Sequence, residues 1–212
     1  MRKFLSLAVI TACLFSCGPK IYKSSDFSTA LARHKNVAIL PAEVTLQLRP
    51  NMTKKMTPEQ LDDLSSKMAY DIQEKMHSWF LRREDKYNYT VKFQDVTKTN
   101  ALLKDAGISY NDLKSTDRAK LAKLLGVDAV LQDRTVMEKP MSDGAAVAVG
   151  LLVGTWGATN KVHTTINIHD GNSGNLLWKY DYEVSGSVGS SSTQMVDALM
   201  KNASKKFPYT AN

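Results

Sequence analysis

Two spacings organise the apolar positions of this chain. After Thr57 the spacing is three and four. Leu61, Leu64, Met68, Ile72, Met76, Trp79 and Phe80 line one face, as in an amphipathic helix of about six turns. Thr57 can cap it, Pro58 suits its first position, and Gln60 completes a capping box. The methionines sit at core spacing, so they read as core and not as a soft binding face. Elsewhere the spacing is two. Lys161 to His169 alternates Val162, Thr164, Ile166 and Ile168 with His163, Thr165, Asn167 and His169. Asp170 to Asn175 reads as a turn. Leu176 to Val184 returns with Trp178, Tyr180 and Tyr182 on one face, so the pair reads as an antiparallel hairpin. Asn36 to Pro41, NVAILP, is apolar without alternation, as expected of a central strand covered on both faces. Ala42 to Leu48 extends it through Val44, Leu46 and Leu48.

Shorter segments complete the order. Tyr89 to Val96 alternates as a strand, and Thr97 to Ala106 forms a helix that Gly107 ends. Ser115 to Leu125 is a second helix, capped by Ser115 or Thr116 and ended by Gly126, and Val127 to Met137 is a strand. The last helix opens at Ser191 to Gln194, buries Met195, Val196, Leu199 and Ala203, and stops before Pro208. The order β-α-β-α-α-β-β-β-α predicts the α/β class. It is a mixed β-sheet flanked by helices, with a C-terminal antiparallel hairpin and helix. Residues 36–212 read as one domain.

The N-terminus belongs to another kind of segment. Arg2 and Lys3 precede an apolar run from Phe4 to Phe15, broken only by Ser6 and Thr11. The run is too short to span a bilayer, which takes about 20 residues, so it reads as a removable signal peptide over residues 1–16. Leu14-Phe15-Ser16-Cys17 reads as a lipobox, with Cys17 as the acylated residue. Ile10-Thr11-Ala12-Cys13 competes and has the more regular residue types, but it leaves a shorter apolar core, and length favours Cys17. Residues 17–35 then form a lipidated N-terminus and polar tether, with one helical turn near Phe27 to Ala32. The leader takes 16 of 212 residues and two positive charges, leaving 196 residues and a net charge of +5. Cys17 would be the one cysteine left, so an intrachain disulfide is excluded and packing alone holds the core.

Ser142 to Thr159, SDGAAVAVGLLVGTWGAT, is the unusual stretch, and Ala145 to Trp156 carries no charge. Twelve residues are too few for a spanning helix but enough for a membrane β-strand of about 9–11 residues. Val147, Val149, Leu151, Leu152, Val153 and Trp156 are therefore candidate membrane or subunit contacts. The alternative is a buried hairpin or a small helix packed on the sheet or a neighbour.

Candidate chemistry changes the picture little. Lys and Arg are mixed with acids along the chain, which reads as a solvated surface with mild attraction to anionic lipid or cell-wall polymer, not as a nucleic-acid footprint. The nucleophile elbow, phosphate loop, HExxH and CxxC patterns are all absent from the sequence. His163 and His169 share a strand face about 20 Å apart, too far to hold one metal. Asp170 beside His169 offers a dyad without a nucleophile. His34 and His77 read as exposed. No cofactor, metal or catalytic residue is expected.

With the lipobox stand Val37-Ala-Ile-Leu-Pro41, Leu125-Gly-Val-Asp-Ala-Val130, the long hairpin and the terminal Lys205-Lys-Phe-Pro-Tyr209. On these the chain resembles the CsgG-related outer-membrane lipoproteins. It is most similar to a lipoprotein group with a domain of unknown function, over roughly residues 36–209. Related families include the curli secretion channel, the polysaccharide-export lipoprotein PelC and the penicillin-binding-protein activator LpoB. The resemblance implies an α/β domain, a lipid anchor, ring assembly as a homo-oligomer, envelope protein partners and no catalysis. The expected function is a non-catalytic scaffold or accessory of an outer-membrane assembly or export system, facing the periplasm. The alternatives are a secretion-channel subunit or an activator of a cell-wall synthase. The curli channel inserts two hairpins per subunit, whereas this chain offers one apolar stretch of that kind.

Overall fold

The computed structural model describes residues 20–47, 50, 54, 56–138, 161–185 and 192–210. Its elements run β1 (Lys20–Lys23), α1 (Phe27–Arg33), β2 (Asn36–Ile39), β3 (Glu43–Gln47), α2 (Pro58–Leu81), α3 (Glu84–Tyr87), β4 (Lys92–Phe93), α4 (Val96–Asp105), α5 (Tyr110–Leu113), α6 (Arg118–Leu125), β5 (Ala129–Glu138), β6 (Lys161–Asp170), β7 (Leu176–Ser185) and α7 (Ser192–Ala203). A 3-10 turn over Ser204–Lys206 follows. This is the mixed α/β sheet that the order of elements predicts.

The sheet runs β1-β7-β6-β5-β2-β4, with β3 also paired to β5. The β6 strand runs antiparallel to both β5 and β7, whereas β2, β3 and β4 add in parallel. Parallel pairing needs long crossovers, and α2 and the α4–α6 group supply them. The apolar NVAI run is central, as its lack of alternation implies. Val37 and Ile39 join one core cluster, Ala38 and Leu40 the other.

Pro41 interrupts that strand for a definite reason. It has no N–H to give to a ladder, so it sits where the ladder breaks. Ile39 pairs with Leu131 and Glu43 with Arg134, so three residues of one strand face two of the other. This is a bulge, and it separates β2 from β3. The freed amide of Ala42 donates instead to the carbonyl of Ala69 in α2, at 3.2 Å.

One face of the sheet carries the larger core. The Thr57–Gln60 capping box forms as expected, and α2 buries Met68, Ile72, Met76, Trp79 and Phe80. Each such side chain contributes about 1.5–3 kcal/mol by leaving water. The α7 helix adds Met195, Val196, Leu199 and Ala203. At one end Phe80 stacks on Phe93 with centroids 4.0 Å apart, and Phe207 closes on both. The opposite face holds a smaller core of Leu103, Leu113, Leu121, Ala122 and Leu125 against Ala38, Leu40 and Val130.

Several sequence expectations are corrected. Residues 17–35 read as a tether with one helical turn near Phe27 to Ala32; the turn is α1, but Lys20–Lys23 form an edge strand outside that expectation. The β1 strand pairs antiparallel with β7 from Lys20↔Asp181 to Lys23↔Trp178, and Ala30 of α1 is buried. Their polar composition concealed this, because an edge strand needs few apolar side chains. The Tyr89 to Val96 strand shrinks to Lys92–Phe93, since Tyr89 bridges to Thr210 and Asp95 is already the cap of α4. Ser115 and Thr116 do not cap α6. Asp117 does, accepting from the Lys120 amide at 2.9 Å. The segment around them also contains α5. Gly126 ends α6 with φ of 66°, a left-handed conformation that glycine adopts at little cost.

Candidate functional site

Helices cover the two faces of the sheet unequally. Strand alternation sends Val162, Thr164, Ile166 and Ile168 to the large core, where all four are fully buried. It sends His163, Thr165, Asn167 and His169 to the other face. There the α4–α6 layer packs on β2 and the start of β5, and further along a polar cleft of about 300 Å³ opens. Its lining includes Glu43, Arg118, Gln132, Arg134, Asn167 and His169.

Glu43 organises this cleft. The bulge at Pro41 delivers it to the polar face, directly opposite Arg134. Arg134 donates Nε to Oε2 at 2.8 Å, with a second guanidinium nitrogen also 2.8 Å from that oxygen. Arg118 at the start of α6 donates to Oε1 at 3.1 Å, and Gln132 to the same oxygen at 3.0 Å. Arg118 is fixed from behind by the carbonyls of Leu113 and Thr116 at 2.7 and 2.9 Å. The Glu43 carboxylate thus accepts three hydrogen bonds, two on Oε1 and one on Oε2, and pairs with two guanidinium groups. On β6 and β7, Thr165 donates to Asp181 at 2.7 Å, and Lys179 lies 3.2 Å from the same carboxylate. Burial pushes the His169 imidazole below its usual range against a bond to the Gly174 carbonyl, and Arg118 adds to the fall. The face carries fixed donors and paired charges. Among the described residues, the Thr165 hydroxyl beside Asp181 is the hydroxyl–carboxylate contact on this face, and Lys179 already pairs with that carboxylate.

A second polar cluster lies at the far end of the sheet, on the core side. His34 is buried, as is His77, which corrects the expectation that both are exposed. The His34 ring lies 2.7 Å from the Tyr209 hydroxyl through Nδ1 and 3.0 Å from Asp170 through Nε2. Asp170 also accepts from the amide and hydroxyl of Ser173, both at 2.9 Å. The anticipated His169–Asp170 dyad does not form, because neighbours on a strand point to opposite faces. The aspartate meets His34 instead, 136 positions away. A Tyr–His–Asp line suggests proton transfer, but Tyr209 is fully buried. Burial, with Asp170 and Asp128 nearby, raises its hydroxyl far above the usual range. The trio is a clamp joining α1, the β6–β7 hairpin and the C-terminal tail.

The sequence singled out neither cluster. Glu43 gives no signal until the bulge fixes its face, and the clamp spans too much chain to leave a local pattern. Cys17 and the stretch with Val147, Val149, Leu151, Leu152, Val153 and Trp156 lie outside the described residues. Among the described residues, no group of three or more His, Cys, Asp or Glu is placed to hold a metal ion. No described helix is long and apolar enough to cross a membrane.

No protein-family model and no curated protein matches this chain. Among solved structures it is similar to the lipoprotein GNA1162 from Neisseria meningitidis, with 15% identity, 81% of this chain and 96% of that chain covered, and a TM-score of 0.45. It is also similar to the PelC dodecamer from Paraburkholderia phytofirmans, with 14% identity, 92% and 99% coverage and a TM-score of 0.45. The LpoB C-terminal domain from Escherichia coli shares 12% identity over 75% of this chain and 92% of that one, with a TM-score of 0.38. At these identities and scores no functional conclusion rests on the likeness.

Proposed function

We propose that this chain is a lipid-anchored, non-catalytic lipoprotein of the CsgG-related group, a scaffold or accessory of an outer-membrane assembly or export system. It is held on the periplasmic side through Cys17, and it works as an oligomer with envelope protein partners. The observation that carries this reading is the lipobox ending at Cys17, three positions ahead of the first strand of the domain. The polar cleft around Glu43 is consistent with it, because its carboxylate is held by Arg118, Gln132 and Arg134 in fixed pairs, as on a surface suited to binding. Acylation of Cys17 supplies more than the two signals that stable anchoring takes. Cys17→Ser is expected to release the protein from membranes and to abolish incorporation of labelled palmitate. Carbonate-resistant membrane association of that variant would overturn the reading.

One observation favours a second reading, a secretion-channel subunit whose residues 145–156 contact the bilayer. The β5 strand ends at Glu138 and β6 begins at Lys161, and these two residues are directly paired neighbours. The β1 strand starts toward the same end, with Lys20 opposite Asp181 on β7. The described residues that border the anchor and the uncharged stretch therefore lie at the same end of the sheet. Ring particles in detergent with conductance in planar bilayers are expected on this reading, and a monodisperse, non-conducting monomer would exclude it.

A further inference from the structure

We infer that the β1 corner of the domain docks on the membrane, with Lys20 to Lys23 at the level of anionic lipid headgroups. The inference rests on the Cys17 anchor proposed above. Three residue steps separate Cys17 from Lys20, and three extended residues span at most about 11 Å. The strand reached by that short link is not loose. Four register pairs fix it to β7, and the Ser24 amide donates to the Leu177 carbonyl at 2.9 Å. Anchoring the cysteine therefore anchors the sheet itself by one edge.

The side chains on that edge suit a headgroup layer. All four residues of β1 are exposed, with Ile21 at 37% and Tyr22 at 49%. Lys20 and Tyr22 point to the polar face of the sheet, and Ile21 and Lys23 to the other. Each face therefore pairs an ammonium with an apolar or aromatic group. Lysine stems and tyrosine rings bury their carbon against acyl chains while their polar tips stay with phosphates and water. Among the described residues only β7 pairs with β1, and the four exposed side chains of β1 carry the charge and aromatic character that a headgroup layer takes. At the opposite edge of the sheet, β4 lies five strand spacings away, about 24 Å. Lys92 on β4 is exposed and belongs to the side facing away from the bilayer.

The test uses the acylated full-length protein in phosphatidylglycerol–phosphatidylethanolamine vesicles. Its one mature cysteine is blocked by lipid, so Tyr22→Cys and Lys92→Cys each add a single thiol for a fluorophore. Ile21→Cys serves as a second reporter should Tyr22→Cys disturb the edge. Nitroxides on the lipid headgroups are expected to quench the label at position 22, or at 21, several-fold more than the label at 92. Flotation with the vesicles but equal quenching at both edges would overturn the inference alone. Failure to float would overturn the anchor, and the inference with it.

Discussion

Asp133 and Asp170 are both buried, at 1% and 2% exposure, and both lie on the core side of the sheet. Their carboxyls behave in opposite ways. Burial pushes Asp133 up to about 6, against the Thr135 and Thr164 hydroxyls that bond to it, and the Glu43 charge adds to the rise. Burial pushes Asp170 up too, but His34 and the two bonds from Ser173 outweigh it and hold the carboxyl below the usual carboxylate range. Arg33 stands 3.6 Å from it. Two hydroxyl donors do not offset the loss of water around a carboxylate. A backbone amide, a hydroxyl and an imidazole together offset the shallower enclosure of Asp170. Burial sets the direction of the shift only where partners fail to reverse it.

The largest expected effect breaks the better-satisfied site. Asp170→Ala strands His34 in the interior, removes the turn's two bonds from Ser173 and unties α1 from the hairpin, at a cost of about 3 kcal/mol at pH 7. Urea unfolding measures it, and a loss near zero would mean that the clamp contributes nothing. The folded-state shift of Asp170 is downward. Its stabilisation is therefore present above the unfolded value of 3.8 and lost as pH falls through and below it. In Asp170→Asn the acid side of the stability curve is expected to flatten.

Asp133→Asn has a smaller effect of opposite sign. The folded value of about 6 lies above the unfolded 3.8, so the folded state holds its proton longer. Wild-type stability then declines as pH rises from about 4 to beyond 6. Removing the ionisation is expected to stabilise the protein by on the order of 2 kcal/mol above pH 7, with the gain vanishing near pH 4. A gain that persists at pH 4 would assign the effect to packing instead. The smallest effect belongs to a solvated carboxylate. Glu183 pairs with Lys161 at 3.0 Å with both side chains about half exposed, and exposed pairs contribute little. Glu183→Gln is expected to leave the urea midpoint unchanged. A clear shift would show that this end of the sheet is covered in solution.

Periodicity made the α2 helix, the β6–β7 hairpin and the central apolar strand legible. Their inner faces are the buried ones: Met76 and Trp79, Ile166 and Ile168, Trp178 and Tyr180, Val37 and Ile39. These assignments need only local spacing, because helix and strand repeats fix which side chains share a face. Thr57 and Gln60 were legible for the same reason, since a capping box closes within four residues. Edge strand β1 was not, because an exposed strand carries no apolar alternation to read.

The sequence by itself determined the elements, their faces and the class of fold, because these follow from contacts between residues a few positions apart. Only the tertiary structure decided that His34 is buried on Asp170 and Tyr209, that the Pro41 bulge turns Glu43 toward two arginines, and that residues 20–33 belong to the sheet and its core. Those outcomes depend on partners brought together from 75 positions away for Arg118 and Glu43 and from 175 for His34 and Tyr209. Residue spacing along the chain carries no record of such meetings. They are chosen by the packing of the whole sheet.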